Sequence, residues 1–191
     1  MPVNQRRRLK DRFWAFAQRG NCVGLREMIR LSSRAKRFGA RWFKTALNQG
    51  LRIATINDHA DAVQLLLANN ANMDKAAQRM NRSPLPLGHL AAAHCWSPDS
   101  DVLRVLLAAK APIYGHANGF FSSHLGSYTD SALHAATQGG NANSVRVLLQ
   151  VKADVNDVGA RDEQPIHRAT SVQVARLLLA AKAYPAQSFA Q

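Results

Sequence analysis

Apolar residues recur along this chain in short helical stretches that polar turns separate, and residues 131–156 show the pattern most regularly. Within that stretch, Ala135 and Ala136 predict a thin first helix, and Gly139 and Gly140 supply the backbone freedom that ends it. A second helix follows, because its apolar side chains fall at helical spacing: Val145, Val147, Leu148 and Leu149. One such hairpin cannot bury its own apolar face, so we expect further copies in the chain.

The histidine of the first helix supplies a register for locating these copies. His167 follows His134 after 33 residues, and the equivalent position is occupied earlier in the chain by His89, Arg52 and Trp14. After each of these positions, apolar residues at helical spacing predict a second helix. The register predicts a single domain over 1–191 with five two-helix repeats, at approximately 4–33, 45–74, 84–113, 129–158 and 162–187.

These hairpins resemble the ankyrin repeat, in which a Pro-Leu-His-x-Ala-Ala helix precedes a Gly-His turn, a Val-Val-x-Leu-Leu-Leu helix and a Gly-Ala-Asp-Val-Asn exit. The segment 131–156 carries the resemblance most fully, and 165–169 repeats its beginning. The resemblance implies an all-α ankyrin-repeat solenoid of stacked helix-turn-helix units with extended finger loops. It also implies a protein without catalytic activity that binds macromolecules through its stacked repeats and fingers.

The resemblance further implies a left-handed backbone at the residue that ends each second helix, where ankyrin repeats usually have Gly. This chain has Asn70, Lys110, Lys152 and Lys182 at that position. Asn tolerates a left-handed conformation, whereas Lys adopts it at some energetic cost. We therefore expect mildly destabilised helix ends rather than a different fold.

Several segments depart from the 33-residue spacing, and function is better sought there than in the regular scaffold. A basic insertion lies around 32–44, before the second repeat, and prolines in the segment 81–86 mark a loop before the third. A long finger occupies 111–131, before the fourth repeat. The fifth repeat loses residues between its helices, so the chain must turn sharply at Thr170 and Ser171.

The charge of the chain is concentrated at its N-terminal end. The formal net charge is +13, and residues 1–52 contain 14 Lys and Arg against only Asp11 and Glu27. The remaining residues are nearly balanced, with 11 Lys and Arg against 10 Asp and Glu. This polarity indicates that the basic region 1–52 contacts an anionic partner.

Two clusters of cationic residues form the candidate polyanion-binding site. Aromatic residues alternate with the cations of the second cluster, which suits RNA, because phosphates require charge and unpaired bases require a stacking surface. The alternatives are an acidic protein surface, an anionic membrane, an organelle-targeting segment and a solvated face without a partner. The candidate residues are Arg6, Arg7, Arg8, Lys10, Arg12, Arg34, Lys36, Arg37, Arg41, Trp42 and Lys44.

The finger at 111–131 is the candidate protein-binding loop. Its three glycines make it flexible, and it carries aromatic side chains of the kind that dominate interface energies. The alternative is that these rings fold back to cover the third and fourth repeats. The candidate residues are Tyr114, Phe120, Phe121 and Tyr128.

Patterns for catalysis and metal binding are weak in this sequence. His89, His94 and Cys95 lack a fourth ligand at suitable spacing, and His89 belongs to the repeat motif, where the histidine hydrogen-bonds backbone. The sequence contains no Gly-rich phosphate loop after a strand, no paired acidic motif and no nucleophile elbow. We therefore predict no enzyme, no cofactor, no metal site and no small-molecule substrate.

Cysteine use and hydropathy bear on the compartment. Cys22 and Cys95 are far apart in sequence, which suits a reducing environment. No apolar run reaches the length of a membrane span, and no uninterrupted apolar signal core lies near the N-terminus. We predict an intracellular protein, in the cytoplasm or in an organelle such as the mitochondrion.

These features predict a non-catalytic binding or scaffold subunit of a larger assembly. Its basic end would contact RNA or another polyanion, as in a ribonucleoprotein such as a ribosome. Its finger and C-terminal face would contact one or more proteins. The fifth repeat carries few polar residues to cover its apolar side, so either the tail with Tyr184 and Phe189 or another subunit covers it. The alternative is a free cytosolic adaptor that binds a single protein client through its concave face.

Overall fold

The computed structural model describes residues 3–34, 40–77, 86–94, 101–113, 130–159 and 162–183. Within these ranges the chain is helical and forms no strand, so the predicted all-α fold is confirmed. The helices in chain order are α1 (Val3–Gln18), α2 (Cys22–Arg34), α3 (Ala40–Ile56), α4 (Ala60–Ala68), α5 (Met73–Ala77), α6 (Leu87–His94), α7 (Val102–Ala108), α8 (Ala132–Gln138), α9 (Ala142–Gln150), a 3₁₀ turn at Pro165–Arg168, and α10 (Val172–Ala180).

The described helices stack in two layers. The first helices of successive hairpins, α1, α3, α6 and α8, pack against one another, and the 3₁₀ turn extends this layer beyond α8. The second helices, α2, α4, α7, α9 and α10, form the other layer. Each hairpin buries its apolar side chains against its neighbours as well as within itself, as expected for a helical solenoid.

The core between the layers combines small and branched side chains. In the first helices Ala54, Ala91 and Ala136 are fully buried, which lets neighbouring helices approach closely. Larger side chains are fully buried in both layers, including Leu51 and Leu133 in the first helices and Leu66 and Leu148 in the second. A mixture of small and large side chains allows a close-packed interior.

The helix ends confirm the expectation about the left-handed residues. Asn70, Lys110, Lys152 and Lys182 have φ angles of 62°, 62°, 61° and 67°. At each of these ends the next N–H bonds back to the helix, as Ala153 N does to Leu148 O at 3.0 Å. The non-Gly residues are therefore held in the left-handed region by the same hydrogen bonding that normally favours Gly.

The two glycines after α8 have different structural roles. Gly140 has a φ of +69° and provides the left-handed turn. Gly139 has a φ of −72°, which any residue adopts. A Cβ atom at Gly139 would lie 3.0 Å from the carbonyl oxygen of Ala93, so this glycine permits close packing between repeats rather than the turn.

Two elements lie in segments treated as insertions from the sequence. The second part of the basic insertion is helical, because α3 begins at residue 40 and continues into the second repeat. The helix α5 follows α4, and Asn72 starts it by accepting a hydrogen bond from Lys75 N at 2.8 Å. Ala76 and Ala77 are buried, which fixes this short helix on the core.

The fifth hairpin is shortened, as the spacing predicts. Its first element is only the four-residue 3₁₀ turn, with Pro165 at a position where a proline is tolerated. Ser171 is extended and begins α10, because its side chain accepts a hydrogen bond from Val174 N at 3.2 Å. The chain therefore reverses at Thr170 and Ser171 without a full α-helix before the turn.

Candidate functional site

Helix α1 carries the first cationic cluster on the side that faces away from the core. Phe13 and Ala17 are buried against the neighbouring helices. Arg7, Arg8 and Arg12 are exposed, while Lys10 is half-buried, and the side chain of Arg6 lies outside the described part. The amphipathic pattern thus positions these cations on one surface of the first hairpin.

Two of these cations lie over aromatic rings. Lys10 Nζ is 6.0 Å from the centroid of the Trp14 ring, and Arg12 Cζ is 5.6 Å from the centroid of the Phe16 ring. Both rings are half-buried. At these distances a cation is attracted to the ring face, which holds the stem of the side chain while its charge stays near the surface.

Equivalent positions in the first and fourth repeats explain why the first hairpin can carry exposed charged residues. Asn21 accepts from Gly24 N at 2.9 Å, and Asn141 accepts from Ser144 N at 3.2 Å, so the two positions correspond. In that register Arg12, Phe16 and Glu27 replace Ala132, Ala136 and Val147. The residues of the fourth repeat are buried against its neighbour, whereas Arg12 and Glu27 are exposed. Polar residues thus cover the N-terminal side of the core.

The second cationic cluster lies where α2 ends and α3 begins. Arg34 is in α2 and Arg41 and Lys44 are in α3, and Lys44 is exposed. Lys36 and Arg37, and the side chains of Arg34 and Arg41, lie outside the described residues. Because α3 packs against α1, the start of α3 belongs to a helix that adjoins the first hairpin.

The aromatic residues of this cluster pack into the hairpins. Phe43 meets Phe13 edge-on, with ring centroids 6.4 Å apart and planes at 78°. Trp42 stacks beside Phe43 at 6.4 Å and is half-buried. These contacts stabilise the junction of α1 and α3. Among the described side chains of this cluster, Trp42 is half-buried and Lys44 is exposed.

The proposed protein-binding residues Tyr114, Phe120, Phe121 and Tyr128 lie outside the described residues, but the base of the finger is described. Ala132 N donates to Ile113 O at 2.8 Å, which brings the two ends of the finger together. His89 Nε2 donates to Asp130 O at 2.7 Å. The finger therefore leaves and re-enters the stack at a closed base between the third and fourth repeats.

An ion-pair cluster fixes this base to the fifth repeat. Arg168 donates to the carboxylates of Asp130 and Glu163, the latter at 2.9 Å, and its side chain is only 14% exposed. Burial alone would lower the pKa of Arg168, but the hydrogen bonds to the two carboxylates raise it above its ordinary value. No local sequence pattern signals this cluster, since Asp130 and Arg168 are 38 residues apart.

The motif histidines hydrogen-bond the backbone, as expected. His134 donates from Nε2 to Glu163 O at 3.0 Å, and its Nδ1 accepts from Ser131 N at 3.1 Å. His167 Nδ1 similarly accepts from Gln164 N at 3.1 Å. Each histidine therefore caps its own helix.

His89 also hydrogen-bonds the backbone through Nε2, but it differs from the other two histidines at Nδ1. It is 2% exposed, and its Nδ1 atom is buried without a hydrogen-bond partner. The residue three positions earlier is Pro86, which has no N–H to donate. Burial lowers the pKa of His89 below its ordinary value.

Metal ligands do not cluster in the described part of the chain. No group of three or more His, Cys, Asp or Glu side chains is arranged to hold a metal ion there. His94 is exposed at the end of α6, and Cys95 lies outside the described residues.

The comparisons with known proteins agree with this architecture. The family model for the ankyrin repeat matches residues 129–160, which contain α8 and α9. This match supports the assignment of the chain to the ankyrin-repeat family, and with it a role in protein binding. No curated protein matches the chain significantly in sequence. Among the described helices, none combines the length and apolar character that crossing a membrane requires.

Proposed function

We propose that this chain is a non-catalytic binding subunit of a larger assembly, whose basic N-terminal end contacts RNA or another polyanion. Under this proposal the finger and the C-terminal face contact protein, and a ribonucleoprotein such as a ribosome is a suitable assembly. The observation that supports the proposal most directly is the surface of the first hairpin. Arg7, Arg8 and Arg12 are exposed there together, and Asp11 is the acidic residue among them.

The packing of the aromatic residues sharpens the mode of contact. Because Phe43 packs on Phe13, stacking of bases contributes less than the contacts between cations and phosphates. Binding of this kind depends on the shape and charge of the nucleic acid rather than on its base sequence. The predicted signature is therefore weak sequence preference and a steep dependence on salt.

The protein-binding part of the proposal is supported by two features. The base of the finger is anchored by the partly buried ion pair of Arg168 with Asp130, and the hydrogen bond between Ala132 and Ile113 holds its two ends together. On the fifth repeat, Val172 and Leu179 are 70% and 53% exposed. Exposed apolar side chains on the outer helix favour contact with another protein.

The test is the salt dependence of RNA binding by the purified chain. The variant with Arg7, Arg8 and Lys44 changed to Gln removes three exposed cations of the basic end. If each contacts one phosphate of a single strand, the slope of log K against log salt should become shallower by about 2. The matched control changes the exposed Arg104, Arg146 and Arg176 to Gln and should leave the slope unchanged.

Two results would refute the polyanion part of the proposal. The first is no measurable RNA binding at low salt, which would favour the adaptor that binds a protein client through its concave face. The second is an equal loss of slope in both triple variants, because this would mean that only the total charge matters.

A further inference from the structure

The outer face of α2 carries two exposed apolar side chains that the polyanion-binding role does not use. Val23 and Leu31 are 76% and 51% exposed, and they lie on one side of the helix because they are eight residues apart. Two helical turns separate them by about 12 Å. Glu27 occupies the position between them and forms an ion pair with Arg30.

Among the repeats, Val23 is the only apolar residue at its position, and Leu31 is the largest apolar residue at its position. The position of Val23 is held by Asp61, Asp101, Asn143 and Gln173 in the other repeats, all polar. The position of Leu31 is held by Asn69, Ala109, Val151 and Ala181. A polar residue is therefore compatible with the fold at either site, so packing within the chain does not account for the two apolar side chains.

We infer that the face formed by Val23, Arg26, Glu27, Arg30 and Leu31 docks an acidic amphipathic helix of a partner protein. Apolar side chains of the partner would cover Val23 and Leu31, and its carboxylates would lie against the exposed guanidinium of Arg26 and beside Arg30. Helices recognised in this way present apolar residues at spacings of three, four and seven. This surface contains none of the polyanion-binding candidates, so the inference goes beyond the proposed function.

Charge favours an acidic occupant. Residues 1–52 contain 14 Lys and Arg against Asp11 and Glu27, so the field around this hairpin is strongly positive. An acidic helix would be attracted to it and a basic one repelled.

The same face is poorly suited to RNA or to a lipid surface. Its exposed apolar side chains are aliphatic, whereas unpaired bases stack on aromatic rings. The nearby ring of Phe16 is half-buried, and a Cβ atom on Gly24 would lie 2.8 Å from it, so this ring is held between α1 and α2. Insertion of Val23 and Leu31 into lipid would bring Glu27 with them, which is unfavourable.

The experiment measures binding of the full chain to a synthetic acidic amphipathic helix of about 18 residues, with Leu on one face and Glu on its flanks. The variant Val23→Asn with Leu31→Asn changes no charge and introduces an amide at positions where other repeats already have polar residues. We expect its affinity to fall about tenfold or more, since two exposed anchors of an interface are lost. The matched control is Val151→Asn, because Val151 holds the Leu31 position in the fourth repeat and is 46% exposed. It should bind as the unaltered chain does.

Further measurements identify the chemistry of the occupant. A peptide with Ala in place of Leu and a peptide with Lys in place of Glu should both bind about tenfold more weakly. Equal binding of the Leu and Ala peptides, or equal binding by the unaltered chain and the double Asn variant, would overturn the inference. A loss of RNA or anionic-vesicle binding in the double Asn variant, with peptide binding unchanged, would also overturn it. Failure here leaves the salt-dependence test of RNA binding unaffected, because that test uses Arg7, Arg8 and Lys44.

Discussion

Replacing Pro86 with serine should stabilise the protein, because it would supply the missing hydrogen-bond donor to His89. In the fourth repeat the equivalent residue is Ser131, whose N–H donates to His134 Nδ1 at 3.1 Å and whose hydroxyl lies 2.9 Å from the same atom. In the third repeat Pro86 offers neither group, and His89 Nδ1 is buried without a partner. Pro86 and Ser131 occupy the same position, immediately before the first helix of their repeats.

The magnitude follows from two opposing effects. A buried acceptor without a partner costs about 1–3 kcal/mol, which the N–H and hydroxyl of the introduced serine would largely recover. Loss of Pro86 also frees the unfolded chain and costs about 0.4–1 kcal/mol. The expected net gain is about 1 kcal/mol, or about 2–4 °C in Tm for a chain of this length.

Urea unfolding followed by circular dichroism measures this gain. Pro86→Ala restores only the N–H and should give less stabilisation than Pro86→Ser. In a His89→Leu background the acceptor is absent, so Pro86→Ser should be destabilising by about 0.4–1 kcal/mol. The same stabilisation in the presence and absence of His89 would refute the explanation.

Three further predictions concern other parts of the fold. Burial lowers the pKa of His89 below its ordinary value of 6.5, so the unfolded chain binds this proton more readily than the folded chain does. The stability present above pH 6.5 should therefore be lost as the pH falls. Urea unfolding at a series of pH values should show a smaller loss of stability for His89→Leu. Lys152→Gly relieves a left-handed residue and should stabilise by about 0.5–1 kcal/mol, with Asn70→Gly giving less because Asn tolerates this backbone; equal effects on Tm would contradict this. Arg168→Met removes the partner of two carboxylates and should lower the free energy of unfolding by about 1–2 kcal/mol. The control is Arg104→Met, because Arg104 is 55% exposed and lies 3.5 Å from its partner Asp101. It should change the free energy of unfolding by about 0.5 kcal/mol or less.

Features set by local chemistry can be predicted from the sequence. The left-handed conformations of Lys110, Lys152 and Lys182 follow from the resemblance to ankyrin repeats, which usually have Gly at this helix end. The short turn before α10 follows from the lost residues between Arg168 and Val172. In each case the determining residues are neighbours in sequence, so the pattern contains the necessary information.

Features that depend on distant partners cannot be predicted in the same way. The pairing of Arg168 with Asp130 joins residues 38 positions apart, and nothing in either local segment indicates it. The helix α5 is too short to show a period, although Asn72 is an N-cap residue. Phe43 lies among cations in the sequence, but its contact with Phe13 depends on the stacking of α3 on α1.

The candidate site is only partly predictable for the same reason. Charge counting locates the basic end, because the excess of Arg and Lys does not depend on how helices pack. Charge counting does not distinguish the proposed polyanion-binding surface on α1 from the outer face of α2, where Val23 and Leu31 are exposed. That distinction requires the alignment of equivalent positions across the repeats.

The lysines that end α7, α9 and α10 have an electrostatic consequence as well as a conformational one. They belong to successive repeats and are exposed, and helices in one layer pack about 8–10 Å apart. As equivalent residues of stacked repeats, they place like charges one after another along one edge of the solenoid. The helix spacing is close to the Debye length of about 8 Å at physiological salt, so salt partly screens their repulsion there, and the repulsion is stronger at low ionic strength. The C-terminal half, nearly neutral in total, thus carries a line of positive charge whose repulsion varies with salt.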